Sequence, residues 1–205
     1  LGLMSGTSGD GVDASIIKSD GSTKYEVILD KYYKYTDEIQ KEYTLLSSGI
    51  KDEVDYERYF SQWENSLLTL EIKITLFHID LVNEIIENSK INIDLIGFHG
   101  QTIWHKPESG SSRQLGNGKL LSKSTKTNVI YDFRANDLKN GGEGAPLAPI
   151  FHQLIATQHK LDLPLCILNI GGISNITIID KKVDSSSLSS RDIGPGNCLI
   201  DSWVR

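Results

Sequence analysis

"LGLMSGTSGDGVDASIIKSDG" (Leu1–Gly21) opens the chain, and its reading decides the fold. Apolar Leu1–Met4 and Val12–Lys18 flank a loop from Ser5 to Asp13. That loop carries three glycines, three hydroxyls and two carboxylates. A solvated turn needs only Asp10-Gly11, so the surplus of small residues implies a close approach to the backbone. With Tyr25–Tyr35 following a second turn at Asp20-Gly21, the stretch reads as a three-stranded meander. Glycine has no side chain to hold an anion away, so the loop's N–H groups can meet phosphate oxygens. Ser5, Thr7 and Ser8 add hydroxyl donors, and Asp10 and Asp13 could order a Mg²⁺ and its waters. Neither G-x-x-x-x-G-K-[ST] nor G-x-G-x-x-G is present. A tight hairpin with a glycine-rich tip is the plain structural alternative.

Beyond the meander, apolar residues recur at spacings of three and four between Asp55 and Ser89. Tyr56, Phe60, Trp63, Leu67, Leu70, Ile74, Phe77, Leu81 and Ile85 form the stripe of a long amphipathic helix, broken at most once. Packing against a sheet explains it better than a coiled-coil seam. Ile93–Phe98 reads as a buried parallel strand, Asn128–Tyr131 as another, and Pro146–Gln158 as a helix with Pro near its start. Lys181–Ser190 is serine-rich and reads as a mobile loop. The opening pattern then returns: strand Leu165–Ile170, turn Gly171-Gly172, strand Ile173–Asp180. This suggests an α/β duplication, with a first domain over 1–162 and a second begun over 163–205.

Three further stretches could carry chemistry. "GFHGQTIWHKP" (97–107) follows a strand and sets His99, Gln101, Thr102 and His105 on a loop, where open α/β sheets collect ligands. No Cys or Glu has matching spacing, so hydrogen bonding to a polar substrate such as a sugar is expected rather than zinc. "YDFRANDLKNGGEGAPLAP" (131–149) supplies Asp132, Arg134 and Asp137, with Gly141–Gly144 as a flexible approach. Arg134 could clamp a substrate carboxylate bidentately or form an internal ion pair with Asp. In "RDIGPGNCLIDSW" (191–203), Asp192 precedes a Gly-Pro-Gly turn and a helical start. It is either a helix cap or a general base on a rigid turn. Asp201 falls within that helix and reads as structural or exposed.

Composition narrows the field. The net charge is −6 with no basic block, which argues against a nucleic-acid surface. No apolar run approaches the roughly 20 residues that span a membrane. No basic n-region or cleavage site marks secretion. Cys166 and Cys198 are too few for a disulfide framework, so a reducing cytoplasm is the default. The chain begins at Leu1 and stops at Arg205 within a helical pattern, as a piece of something longer would.

"GLMSGTSGDGVD", "GFHGQTIWHKP", "DFRANDLKNGGEGAPLAP", "LNIGGISNIT" and "RDIGPGNCLIDSW" closely resemble, in order, the motifs of the anhydro-N-acetylmuramic acid kinases. That family lies in the actin, Hsp70 and sugar kinase superfamily, whose members have two ribonuclease-H-like domains and bind ATP. The resemblance implies that ATP and water convert 1,6-anhydro-N-acetylmuramic acid to N-acetylmuramic acid 6-phosphate in peptidoglycan recycling. It makes Gly6, Thr7, Ser8, Gly9, Asp10, Gly11, Val12 and Asp13 the first ATP-phosphate loop, with Asp10 toward Mg²⁺, and Gly171 and Gly172 the second. Asp192 becomes the catalytic base; Arg134 faces the lactyl carboxylate, with His99 and Gln101 near the sugar. Cytoplasmic location follows, and a homodimer is compatible.

Three departures accompany the resemblance. Gly9 replaces a larger apolar residue, implying a looser loop, and Asn117 in "QLGNGKLL" (114–121) replaces a common aspartate. The family's adenosine-binding glycine motif and closing helices are absent from this stretch. A truncated, non-catalytic amino-sugar-binding module is therefore the second reading. An Hsp70-like partner protein is a third, without sugar-site motifs.

Overall fold

Val12, Ala14 and Ile16 alternate along one strand, and all three are buried, as period-two placement on a half-covered sheet requires. The computed structural model describes residues 1–50, 56–180 and 188–204. Its opening strands fall where the sequence predicts them: β1 (Gly2–Ser5), β2 (Gly11–Ser19) and β3 (Tyr25–Lys34). β1 pairs antiparallel with β2, Leu3 opposite Ala14. Asp20 shapes the β2–β3 turn by accepting the backbone N–H groups of Ser22, Thr23 and Lys24. Those bonds hold its carboxyl well below the usual carboxylate range.

Helices cover this sheet. Helix α1 (Asp37–Gly49) was not foreseen, although Thr36 accepts the Ile39 N–H and Asp37 and Glu38 follow in the first turn. Helix α2 (Tyr56–Ser89) runs 34 residues without interruption, because no Gly or Pro lies inside it to break the ladder. It ends where Lys90 turns left-handed, φ 55°, and returns its N–H to Ile86 O. Its stripe buries Leu67, Leu70, Ile74, Leu81, Val82 and Ile85 against Leu3, Ile96 and Phe98 of the sheet. Trp63, expected in the stripe, is 37% exposed.

The strand expected over Ile93–Phe98 does not stop at His99. Strand β4 (Leu95–Lys106) runs through the supposed loop because it changes partners along its length. Its first half lies parallel to β1, with Leu3 opposite Phe98 and Ser5 opposite Gln101. On the other side the same half is parallel to β6 (Asn128–Tyr131). Its second half pairs antiparallel with β5 (Ser111–Leu115), across a 3₁₀ turn at Pro107–Ser109. The β1 register shifts between Leu3 and Ser5, where Gly100 takes φ +73°, the signature of a bulge. His99, Gln101, Thr102 and His105 are thus strand residues. Two short helices complete this part, α3 (Gly118–Thr125) and α4 (Phe133–Lys139). Asn117 caps α3, accepting the Leu120 N–H at 2.9 Å, a contact an aspartate makes equally well.

By internal contacts the chain divides into two compact units, Leu1–Ile16 with Ile28–Glu143, and Ile17–Val27 with Gly144–Arg205. The main break falls at Glu143, where the sequence reading placed it near Asp162. Helix α5 (Pro149–Gln158) belongs to the second unit, which also holds β7 (Leu165–Ile170), β8 (Ile173–Ile179), β9 (Leu188–Pro195) and α6 (Cys198–Val204). His152 of α5 meets Thr177 Oγ1 of β8 at 2.8 Å, and Ala156 is buried. The three strands form an antiparallel meander. Of the expected loop Lys181–Ser190, residues 181–187 lie outside the described residues. Leu188–Ser190 are not loop: they pair with Ile179–Thr177.

Candidate active site

The first candidate loop leaves β1 at Ser5 and enters β2 at Gly11. Gly9 N–H donates to Gly6 O at 3.2 Å, closing a tight turn, and Gly9 sits at φ +63°. A Cβ on Gly6 would meet only Ser8 Oγ, at 3.5 Å, so the loop is open at Gly6. A Cβ on Gly11 would lie 2.4 Å from Tyr33 O and 2.6 Å from the Tyr32 hydroxyl oxygen. Gly6 therefore has room beside its Cα, whereas Gly11 is required by the fold. Val12 points into the core, so only its backbone can serve a ligand. Asp10 accepts from Ser8 Oγ and, at 3.0 Å, from the Tyr32 hydroxyl. Burial, then the charges of Asp10 and Asp30, raises the Asp13 carboxyl above its ordinary pKa. Among the described residues, no group of three or more His, Cys, Asp or Glu side chains is placed to hold a metal ion by itself, so a divalent cation here would need water or ligand oxygens beside Asp10 and Asp13.

Tyrosines hold the loop from behind. Tyr35 exchanges a 2.9 Å hydrogen bond with Ser5, and its N–H donates to Asp10 O. The Tyr43 hydroxyl donates to Thr7 O at 3.1 Å and Thr102 O at 2.9 Å. Gln101, expected beside the sugar, is fully buried and donates Nε2 to Gly6 O at 2.8 Å. In this structure it braces the loop.

The second cluster forms on β4 and α4. His99 Nδ1 lies 2.7 Å from Gly100 O, and Arg134 Nε donates to His99 Nε2 at 3.1 Å. One tautomer satisfies both: Nδ1–H donates and Nε2 accepts. Burial, then the Arg134 charge, lowers the His99 pKa to about 4, so the imidazole stays neutral. His99 lines a cavity of about 210 Å³ with Phe98, Ser112, Arg113, Gln114, Gly116, Tyr131 and Asp132. Arg113 is held against Glu64 at 3.0 and 3.2 Å and lies over the Phe60 ring. Gly141 and Gly142 are tied rather than flexible, donating to Leu138 O and Asp137 O.

In the second unit, Gly171-Gly172 joins β7 to β8 as expected. Gly196 N–H donates to Gly172 O at 2.9 Å, and Asn197 N–H donates to Gly171 O at 2.8 Å. Asp192 lies exposed within β9, opposite Asn175. Helix α6 begins only at Cys198, so Asp192 does not cap it. Asn197 holds the cap position, its carbonyl accepting the Asp201 N–H at 2.9 Å.

The family model of anhydro-N-acetylmuramic acid kinase matches residues 1–205. The chain belongs to that family. An anhydro-N-acetylmuramic acid kinase of Pelagibacter ubique is 52% identical over 205 residues, covering all of this chain and 53% of that protein. Those of Gluconobacter oxydans and Rhodopseudomonas palustris are 38% and 37% identical over 207 residues, covering 55% and 54% of their lengths. The chain thus spans about half the length of the curated relatives it matches. Among the described residues, no helix is long and apolar enough to cross a membrane.

Two groups in this family member escaped the sequence reading. Ser112 and Gln114 reach the cavity because β5 folds back on β4, a pairing with no local signal. Tyr32 and Tyr35 do carry one: the run Tyr32-Tyr33-Lys34-Tyr35 ends the third strand of a meander and must come back beside the first loop, whereas Tyr43 reaches it only through the packing of α1.

Proposed function

We propose that these residues form the first ribonuclease-H-like domain, and the start of a second, of an ATP-dependent kinase. It opens 1,6-anhydro-N-acetylmuramic acid with water and yields N-acetylmuramic acid 6-phosphate. One observation carries the reading. The parallel pairing of β1 with β4 sets the Gly6 loop, which follows the carboxyl end of β1, next to the His99–Arg134 pair, near the end of the part of β4 that runs parallel to β1. Open α/β sheets take ligands at that side of their parallel strands. The strand path β3-β2-β1-β4, with β6 beyond, supports the ribonuclease-H-like assignment.

Within the first unit, the N–H groups around Gly6 would receive ATP phosphate oxygens. Asp10, with Asp13, would hold Mg²⁺ through oxygen ligands and water, and the ion would neutralise phosphate charge. Arg134 uses Nε on neutral His99, so the lactyl carboxylate would be met by its Nη1/Nη2 edge. At about 210 Å³ the cavity falls below the roughly 300 Å³ at which pockets for drug-sized ligands begin. It suits part of a sugar, not a nucleotide. Within the second unit, Gly171 and Gly172 are the second phosphate turn and Asp192 is the general base. Asp192 takes a proton from water as the water oxygen bonds to the anomeric carbon. The C1–O6 bond breaks, O6 takes the γ-phosphoryl group, and ADP leaves.

The test is ADP formation by the complete native protein with ATP and 1,6-anhydro-N-acetylmuramic acid, beside an anhydro amino sugar lacking the lactyl group. The reading requires sugar-dependent ADP release and a 6-phosphorylated product, with the lactyl-free sugar far poorer. Sugar-independent ADP release alone overturns it.

A further inference from the structure

Tyr43 stands on α1, a helix that carries none of the residues assigned so far to substrate. Its side chain is 5% exposed and meets the glycine loop twice. A Cβ placed on Gly9 would lie 2.1 Å from Tyr43 Cδ1 and 2.3 Å from Cε1, so the ring occupies the space of a side chain at position 9. The Tyr43 hydroxyl, one proton shared between two carbonyls, ties Thr7 O of the loop to Thr102 O of β4. A glycine at position 9 would by itself loosen the turn, since glycine has the widest conformational freedom. The ring and hydroxyl remove that freedom from outside the loop.

We infer that Tyr43 is a positioning residue for nucleotide, filling the place of a side chain at Gly9 and fixing the Thr7 carbonyl so that the turn closed by the Gly9 N–H on Gly6 O keeps the N–H groups of Gly6–Ser8 in place. This rests on the reading of that loop as a phosphate site. The phosphate itself is met by the loop. Tyr43 acts through Thr7 and Gly9, and its loss should affect ATP, not sugar. Gln101 braces the same loop from β4 through Gly6 O, so Tyr43 holds the middle of the turn and Gln101 its start.

The experiment compares Tyr43→Phe, Gly9→Ala and Gly6→Val in the complete native protein. It reads KM for ATP, KM for the anhydro sugar, kcat and melting temperature. Tyr43→Phe keeps the ring and removes only the shared proton. It should raise KM for ATP at least fivefold while leaving the sugar KM and kcat within twofold. Gly9→Ala drives a methyl into the ring and should raise the ATP KM at least tenfold with the same selectivity. It decides the matter if Tyr43→Phe fails to fold. A lowered melting temperature with ATP KM within twofold of wild type overturns the inference, as does an equal rise in both KM values. Gly6→Val separates the two layers. If it leaves ATP KM unchanged, the phosphate-loop reading fails and Tyr43 with it. If it raises ATP KM while Tyr43→Phe and Gly9→Ala do not, Tyr43 alone is overturned.

Discussion

Arg134 Nε donates to His99 Nε2 at 3.1 Å, and this bond exists only while His99 is neutral. Both His99 and the fully buried His78 have pKa values lowered to about 4, with burial the first cause in each. Both are therefore neutral when folded and bind a proton more readily when unfolded. Their contribution is fully present above the unfolded value of about 6.5 and is lost as pH falls toward 4, at up to roughly 1.4 kcal/mol per pH unit for each group. Melting temperature recorded from pH 7.5 to 4 should drop across that window. His78→Phe should flatten part of the drop; an unchanged pH profile would contradict the burial assignment.

Arg134→Lys keeps the charge but loses both the Nε bond to His99 and the planar fork. Recognition of the lactyl sugar should weaken by about 1–3 kcal/mol, read as KM or by calorimetry on the complete protein. An anhydro sugar without the lactyl group should show little change. An equal loss for both sugars would make Arg134 structural.

Gly6→Val and Gly11→Val should part company. Space at Gly6 is open, so the fold should survive while ATP affinity falls. At Gly11 the new Cβ meets Tyr33 O at 2.4 Å, so melting temperature should fall first. Circular dichroism melts beside ATP titrations distinguish the two.

Gly171 and Gly196 make a similar pair. A Cβ on Gly196 would lie 2.1 Å from Gly171 O, against 3.5 Å to the nearest atom for one on Gly171. Gly196→Ala should destabilise by about 1–3 kcal/mol through overpacking, seen in urea unfolding. Gly171→Ala should leave stability near wild type yet raise the KM for ATP. Intact ATP binding in a stable Gly171→Ala protein would remove that turn from the phosphate site.

Asp192→Asn is nearly isosteric and falls on an exposed position of β9, so the melting temperature should hold. Turnover should decrease by about 10²- to 10⁴-fold, the usual loss with a general base, and ring opening and phosphorylation should disappear together. Near-wild-type turnover by product chromatography would eliminate Asp192 as the base.

Much of the frame is local and was readable from the chain. The alternation Val12, Ala14, Ile16 and the three-four spacing of α2 each express a backbone period, and the turn at Asp20-Gly21 is local too, whereas the first turn closes at Gly6–Gly9 and not at Asp10-Gly11. A period is written in consecutive residues. The glycine motifs likewise marked the two turns where another group comes near the backbone. What the sequence could not reveal was partnership. His99 to His105 looked like a loop because nothing in those residues announces that β4 will leave β1 and pair with β5. Gln101 looked like a sugar contact until the β1–β4 register put its amide on Gly6 O. Asp192 reads from sequence as either a helix cap or a general base, and only the start of α6 at Cys198 excludes the cap. Gly9 suggested a looser loop, and only the packing of α1 brought the Tyr43 ring into the vacant place. By itself the sequence determined the opening meander, the first part of β4, the strands β6, β7 and β8, the long helix, the glycine turns and the family. Tertiary structure alone decided which side chains meet, because those contacts join residues tens of positions apart whose proximity depends on sheet order and helix packing.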